Sequence, residues 1–229
     1  MQTKAGASAF SADTADYDLV YKSAQIQTNS YNLQGNPLTV RTIEYEIEDS
    51  AKICQALDQI DITYAKAAYG RYEISSRFNH QGTPSYRQVY DSVYGEDGFE
   101  RFLSGSLVYN TFDENTRSKV VRSRVVQFQL SETVYSYRQL ENTDKSYAAL
   151  TITDTLAFDF TEKYASETIE YTYKLLSSSS TGLDESLNVD SENTVLLGGK
   201  AIVKTGFNAL GTPLTTETRF FSETVSGRV

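Results

Sequence analysis

The sequence predicts a mainly β protein: an antiparallel β-sandwich or barrel with long β-hairpins in its second half, one packed α-helix over about 50–70 and a second short helix over about 84–94. Three observations carry this. The 229 residues include 17 Tyr, no Trp and only 3 Pro, and they are rich in Ser and Thr, an alphabet that favours strands. Apolar and polar residues alternate with period two in several stretches. The stretch 120–140 holds neither Gly nor Pro, so nothing in it punctuates a long extended run. With 39% hydrophobic and 22% charged residues, the composition is that of a folded globular chain.

Taken in order, residues 1–16 are small and polar and form a flexible arm, leaving 17–229 as a single β-rich domain. A first strand runs over 17–28. Over 38–48, Ile43, Tyr45 and Ile47 alternate with Glu44, Glu46 and Glu48, which marks a strand with one buried and one wet face. The period then changes. Ile53, Leu57, Ile60 and Tyr64 recur at helical spacing, Asp49 or Ser50 can cap the start, and Gly70 sits where a left-handed residue ends a helix. Alternation returns over 71–78. Thr83 and Pro84 then suit the start of the second helix, with Tyr86, Val89, Tyr90, Val93 and Tyr94 on one face. Residues 95–98 form a turn, and a strand over 99–109 is interrupted at Gly105. Beyond it the chain reads as strands at 120–140, 147–160, 167–176, 194–205 and 214–225, with Gly198 and Gly199 as a bulge. The serine-rich and acidic stretch 177–193 is the longest loop. No motif recurs at a fixed spacing.

Chemistry-bearing residues are scarce. His80 is the one histidine and Cys54 the one cysteine, so neither a zinc set nor an internal disulfide can form. His80 lies in a turn-like connection, and Cys54 reads as a small semi-buried residue near a helix start. Glu44, Glu46 and Glu48 share one strand face, where mutual repulsion fits a solvated surface better than the paired carboxylates of a glycosidase. The acidic groups Asp13, Asp16, Asp18 and Asp184, Glu185, Asp190, Glu192 lack the glycine-centred spacing of a calcium loop. Phosphate-loop, dinucleotide, nucleophile-elbow and zinc-protease motifs are absent from the sequence. The expectation is a chain that is not an enzyme, with no catalytic, cofactor or metal residues and no cofactor.

Net charge is −9, which opposes binding of nucleic acid or anionic membranes over the whole surface. One local signal runs the other way. Arg117, Lys119, Arg122 and Arg124 fall within eight residues, and on an extended chain Arg122 and Arg124 project to the same side. An acidic protein with such a patch can dock its own copies, positive surface to negative. Tyr135 and Tyr137 lie on the same long stretch, and Tyr offers contact area at low entropy cost. These six residues form the expected subunit interface.

A strand of about 20 residues spans over 60 Å at roughly 3.3 Å per residue, more than a domain of this size is wide. It must bend between sheets or project to pair with neighbouring subunits. The order of elements, strands and a helix followed by long hairpins, resembles the tail-tube proteins of tailed bacteriophages and related contractile injection machines. That resemblance implies rings whose hairpins build a shared barrel, with homo-oligomers and other virion proteins as partners and DNA met only by passage through a lumen. Neck, connector and capsid-associated proteins are further virion parts of the same kind. A β-sandwich ligand-binding module, one for glycans among others, is the alternative. The first ten residues hold no apolar run of signal-peptide length and no stretch reaches the roughly 20 apolar residues of a membrane helix. Synthesis in the cytoplasm and no membrane partner are therefore expected, and the resemblance implies a place in the virion.

Overall fold

The computed structural model describes residues 23–47, 65–115, 117–159, 161, 163–176, 194–208 and 210–222. They form ten strands: β1 (Ser23–Tyr31), β2 (Pro37–Ile47), β3 (Ala65–Phe78), β4 (Pro84–Tyr94), β5 (Glu100–Phe112), β6 (Val120–Val134), β7 (Lys145–Phe158), β8 (Ala165–Leu175), β9 (Thr194–Phe207) and β10 (Pro213–Phe221). Each pairs antiparallel with the next in sequence, giving one ten-stranded meander in the order β1 to β10. The mainly β class and the long hairpins are thus as the sequence predicts. The architecture is a single open sheet, and β1 does not pair with β10 to close it into a barrel.

Directly paired residues share a sheet face, so the registers define two faces. One carries the row Arg41, Tyr72, Tyr90, Gly105 and Phe128 across β2 to β6. Its neighbouring row runs Gln88, Leu107, Val126, Leu150 and Tyr173 from β4 to β8. The core lies on this face: Tyr90, Phe102, Leu107, Val126, Phe128, Leu130, Val134, Leu150 and Ile152 form a continuous buried cluster in which Leu140 also takes part. The opposite face is largely polar. There Glu73 bridges Arg71 at 2.9 Å and Arg87 at 3.2 Å, and Lys200 meets Glu170 at 3.0 Å.

Two glycines let the strands approach closely. A Cβ on Gly105 would strike the backbone carbonyl of Val89 and lie 2.7 Å from the Phe128 ring. A Cβ on Gly199 would strike the carbonyl of Glu170 and lie 2.5 Å from the Phe221 ring. In both cases an aromatic ring from the adjacent strand covers the space a side chain would fill, a device that keeps an interior glycine from weakening its strand. Gly105 therefore does not interrupt β5. The bulge expected at Gly198 and Gly199 falls just before them: Gly199 and Gly198 pair in regular register with Tyr171 and Thr172, and the register shift between β8 and β9 leaves Leu197 as the extra residue.

Three expectations are corrected. The stretch 84–94 is strand β4, not a helix: Thr83 belongs to a closed turn, Pro84 opens a strand where its missing N–H is tolerated, and the Tyr and Val content that weakened the helical stripe suits a strand. Of the helix over 50–70, residues 65–70 begin strand β3, and 50–64 lie outside the described residues. Gly70 is no helix cap. It pairs with Ile43 and Ser92, and a Cβ there would fall 2.6 Å from Glu100 Oε1. Finally, the 120–140 run is not one strand. β6 ends at Val134, and the chain turns into a 3-10 helix over Tyr137–Asn142. Ser136 caps that helix in extended backbone, its hydroxyl accepting the Arg138 N–H, while Leu140 is fully buried in the core cluster. The Ser-x-x-Gln pattern of 136–139 is a helix-start signal. Arm 1–16, Cys54, Glu48, the acidic groups at 13–18 and 184–192 and the loop 177–193 lie outside the described residues.

Candidate functional site

Because the meander is regular, its connections alternate between two rims. One rim carries the five turns β1–β2, β3–β4, β5–β6, β7–β8 and β9–β10. Every one begins with an aromatic residue followed by Asn or Asp: Tyr31-Asn32, Phe78-Asn79, Phe112-Asp113, Phe158-Asp159 and Phe207-Asn208. Three of them share the sequence Asn-x-x-Gly-(Asn/Thr)-Pro, at 32–37, 79–84 and 208–213, and these use all three prolines of the chain. The Asn side chain is the organiser. Asn32 Oδ1 accepts the N–H groups of Gln34 at 3.0 Å and Asn36 at 2.9 Å. Asn79 does the same for Gln81 and Thr83, and Asn208 for Leu210 and Thr212. Gly35, Gly82 and Gly211 supply the left-handed backbone, with φ of 82°, 80° and 79°.

The two acidic turns repeat the design. Asp113 Oδ1 accepts Ser118 and Lys119 N–H groups, and Asp159 accepts those of Thr161, Lys163 and Tyr164. Burial works against the Asp159 charge, but these bonds and the Thr161 hydroxyl outweigh it and hold the carboxyl below its usual range. The hexapeptide repeat was readable in the sequence. It escapes a search for periodicity because its copies are unequally spaced.

At the other end, an ion pair crosses the core face. Arg41 of β2 reaches Glu100 of β5 at 2.6 Å, over two intervening strands, and the absent Gly70 side chain leaves room for it. Ser92 Oγ donates to the other Glu100 oxygen at 2.8 Å. Burial alone would lower the Arg41 pKa, yet Glu100 and Tyr94 raise it. Burial, reinforced by Glu100, pushes the Tyr94 hydroxyl up to about 12. The Arg41 guanidinium also lies 5.1 Å from the Tyr137 ring, and Tyr137 packs on Tyr72 at 5.1 Å. This fastens the 3-10 segment down.

The expected interface residues are dispersed. Arg117 sits in the β5–β6 turn at φ 52°, its carbonyl receiving the Asn79 side chain at 3.0 Å. Lys119 Nζ lies 5.1 Å from the Phe158 ring. Arg122 and Arg124 do share a strand side. Arg122 is paired bidentately with Asp154 of β7, the Nη2 to Oδ2 distance being 2.9 Å, while Arg124 stands between Tyr109 and Ile152 in the register, its Nε buried without a hydrogen-bond partner. Tyr135 is exposed at the far end of β6 beside Arg101. Tyr137 lies on the 3-10 helix and packs against the core. His80 is exposed in its turn, and Glu44 and Glu46 are exposed as expected.

The remaining feature is the pair of sheet edges. Among the described residues, β1 and β10 each present nine residues with a strand on one side only. β10 is exposed along nearly its whole length. No group of three or more metal-ligating side chains gathers among the described residues, and no helix among them is long and apolar enough to cross a membrane. No protein-family model matches the chain, and no curated protein or solved structure is significantly similar to it.

Proposed function

We propose that this chain is a non-enzymatic structural subunit that acts by associating with copies of itself into rings or a tube. The observation that carries this reading is the open sheet. A ten-stranded meander whose two nine-residue edges have no further strand beside them among the described residues leaves two rows of backbone donors and acceptors for another strand to satisfy, and such edges are ordinarily protected or paired. The turn rim supports it too, because five similar short turns give the assembly one even boundary. The exposure of Arg117 on that rim and of Tyr135 just past the opposite end of β6 supports a role for both in contacts between stacked layers. A virion tail tube, neck or capsid-associated layer is an assembly of this kind, with other virion proteins as neighbours and DNA passing at most through a lumen.

The test is the mass of the purified protein in solution. Light scattering is expected to return a multiple of the monomer mass, and negative-stain images rings or filaments. A strict monomer at high concentration overturns the reading.

A further inference from the structure

We infer that copies of this chain join edge to edge, β10 of one copy pairing antiparallel with β1 of the next; the inference rests on the self-assembly reading and names the surfaces that perform it. β1 and β10 run in opposite directions as the first and last strands of an even-numbered meander, so β10 laid beside the next copy's β1 simply continues the antiparallel sheet. Both strands have nine residues. Each belongs to a hairpin closed by the same Asn-x-x-Gly-(Asn/Thr)-Pro turn on the same rim.

Within their nine residues, neither edge strand carries the usual sequence defences. β1 has no charged residue and no proline. β10 has proline only at its first position, and its two charges, Glu217 and Arg219, neutralise each other at 2.7 Å. Edges that must stay single are instead blunted by lysine, internal proline or inward charge.

The sheet faces and the exposed apolar residues together select the register. Thr28 and Ser30 of β1 lie on the core face, through their pairing with Arg41 and Thr39. Glu217 and Arg219 of β10 lie on that same face, through Val203 and Ala201. Paired residues must share a face, so even-numbered residues of β1 meet odd-numbered residues of β10; of the registers this allows, the one that sets Glu217 against Thr28 and Thr218 against Gln27 keeps the two turns level on their rim and brings the exposed apolar residues of the two strands together. Leu214 then falls opposite Tyr31. This pairing accounts for an otherwise odd exposure. Of the five aromatic residues that end the odd-numbered strands, Phe78, Phe112, Phe158 and Phe207 are partly covered, whereas Tyr31, at the edge, is 57% exposed. Leu214 is 74% exposed, and each supplies the apolar neighbour the other lacks. Pairing β10 with its own copy cannot satisfy both its charges and its apolar end: the register that sets Leu214 against Phe220 also sets Glu217 against Glu217, a like-charge pair, and the one that sets Glu217 against Arg219 leaves Leu214 past the end of the partner strand. An edge dimer of either kind would also leave half of the edges open, whereas the β10–β1 contact satisfies both edges by one interface and propagates as a ring or filament.

Cysteine cross-linking of the full chain tests this in a Cys54→Ser background. Gln27→Cys with Thr218→Cys, and Thr28→Cys with Glu217→Cys, place thiols at adjacent register pairs, one hydrogen-bonded and one not. All four positions are exposed. Oxidation is expected to give a ladder of covalent dimers, trimers and higher species from at least one double variant and monomer from each single variant. Dimers from Gln27→Cys alone or Thr218→Cys alone would show like edges meeting and overturn the inference. Assemblies by light scattering that give no ladder, and that Gln27→Lys with Thr218→Lys leaves intact, would overturn it while leaving self-assembly standing. A protein that is monomeric throughout would overturn both.

Discussion

The side-chain oxygen of Asn79 accepts the backbone N–H of Thr83 at 2.8 Å, closing a five-residue turn that recurs around Asn32 and Asn208. Each such Asn holds two backbone donors, and a net hydrogen bond is worth about 0.5–1.5 kcal/mol. Asn79→Ala is therefore expected to cost about 1–2 kcal/mol, seen as a lower urea midpoint with unchanged slope. Asn79→Asp should cost much less, because Asp113 and Asp159 play the same part in their own turns. Equal losses for both variants would show that the amide nitrogen, which bonds the Arg117 carbonyl, matters more than the oxygen.

Removing Arg41 strands a carboxylate. Glu100 has a side chain only 9% exposed, and breaking a buried pair by deleting one partner costs roughly 3–5 kcal/mol. Arg41 is partly exposed, so Arg41→Met should fall at or below the lower end of that range. Arg41→Met with Glu100→Gln is expected to recover part of the loss. A double-mutant cycle in chemical denaturation measures the coupling, and additive losses would contradict it.

Gly105→Ala and Gly98→Ala separate two reasons for glycine. At Gly105 the added Cβ meets the fixed Val89 carbonyl and the Phe128 ring, so the strands must part; a loss of about 2 kcal/mol or more is expected. At Gly98, φ is 77° with open space around it, and the cost should be nearer 1 kcal/mol. Thermal denaturation of the two variants ranks them.

Tyr72, Tyr86, Tyr90, Tyr94, Tyr147 and Tyr173 all have hydroxyls whose ionisation is pushed up, chiefly by burial. In the unfolded chain a tyrosine ionises near pH 10. Below that pH the protons are bound in both states and the contribution to stability is fully present. Above it the unfolded state gives up protons first, so stability falls as pH rises from about 10 toward and past the Tyr94 value of about 12. Phenolate absorbance and far-ultraviolet circular dichroism should therefore change together for these wholly or partly buried rings. A single early step with the sheet intact would count against their burial.

What the sequence determined by itself is local. Period-two alternation at 43–48, the Tyr, Ser and Thr alphabet and the turn at 95–98 were enough for the β class and for most strands to within a few residues, since those signals depend only on neighbours along the chain. The misread stretches are those where two local patterns compete. Pro84 after Thr83 marks a helix start as well as the exit of an Asn-closed turn, and only the pairing of β4 with β3 and β5 decides between them. At 136–140 a strand alphabet overlies a capping pattern, and the outcome depends on Leu140 finding the core. Tertiary structure alone decided that Arg41 reaches Glu100, that Phe128 covers Gly105, and that the sheet stays open with β1 and β10 on opposite edges. Each is a meeting of residues distant along the chain, set by strand register and close packing, which composition and periodicity do not encode.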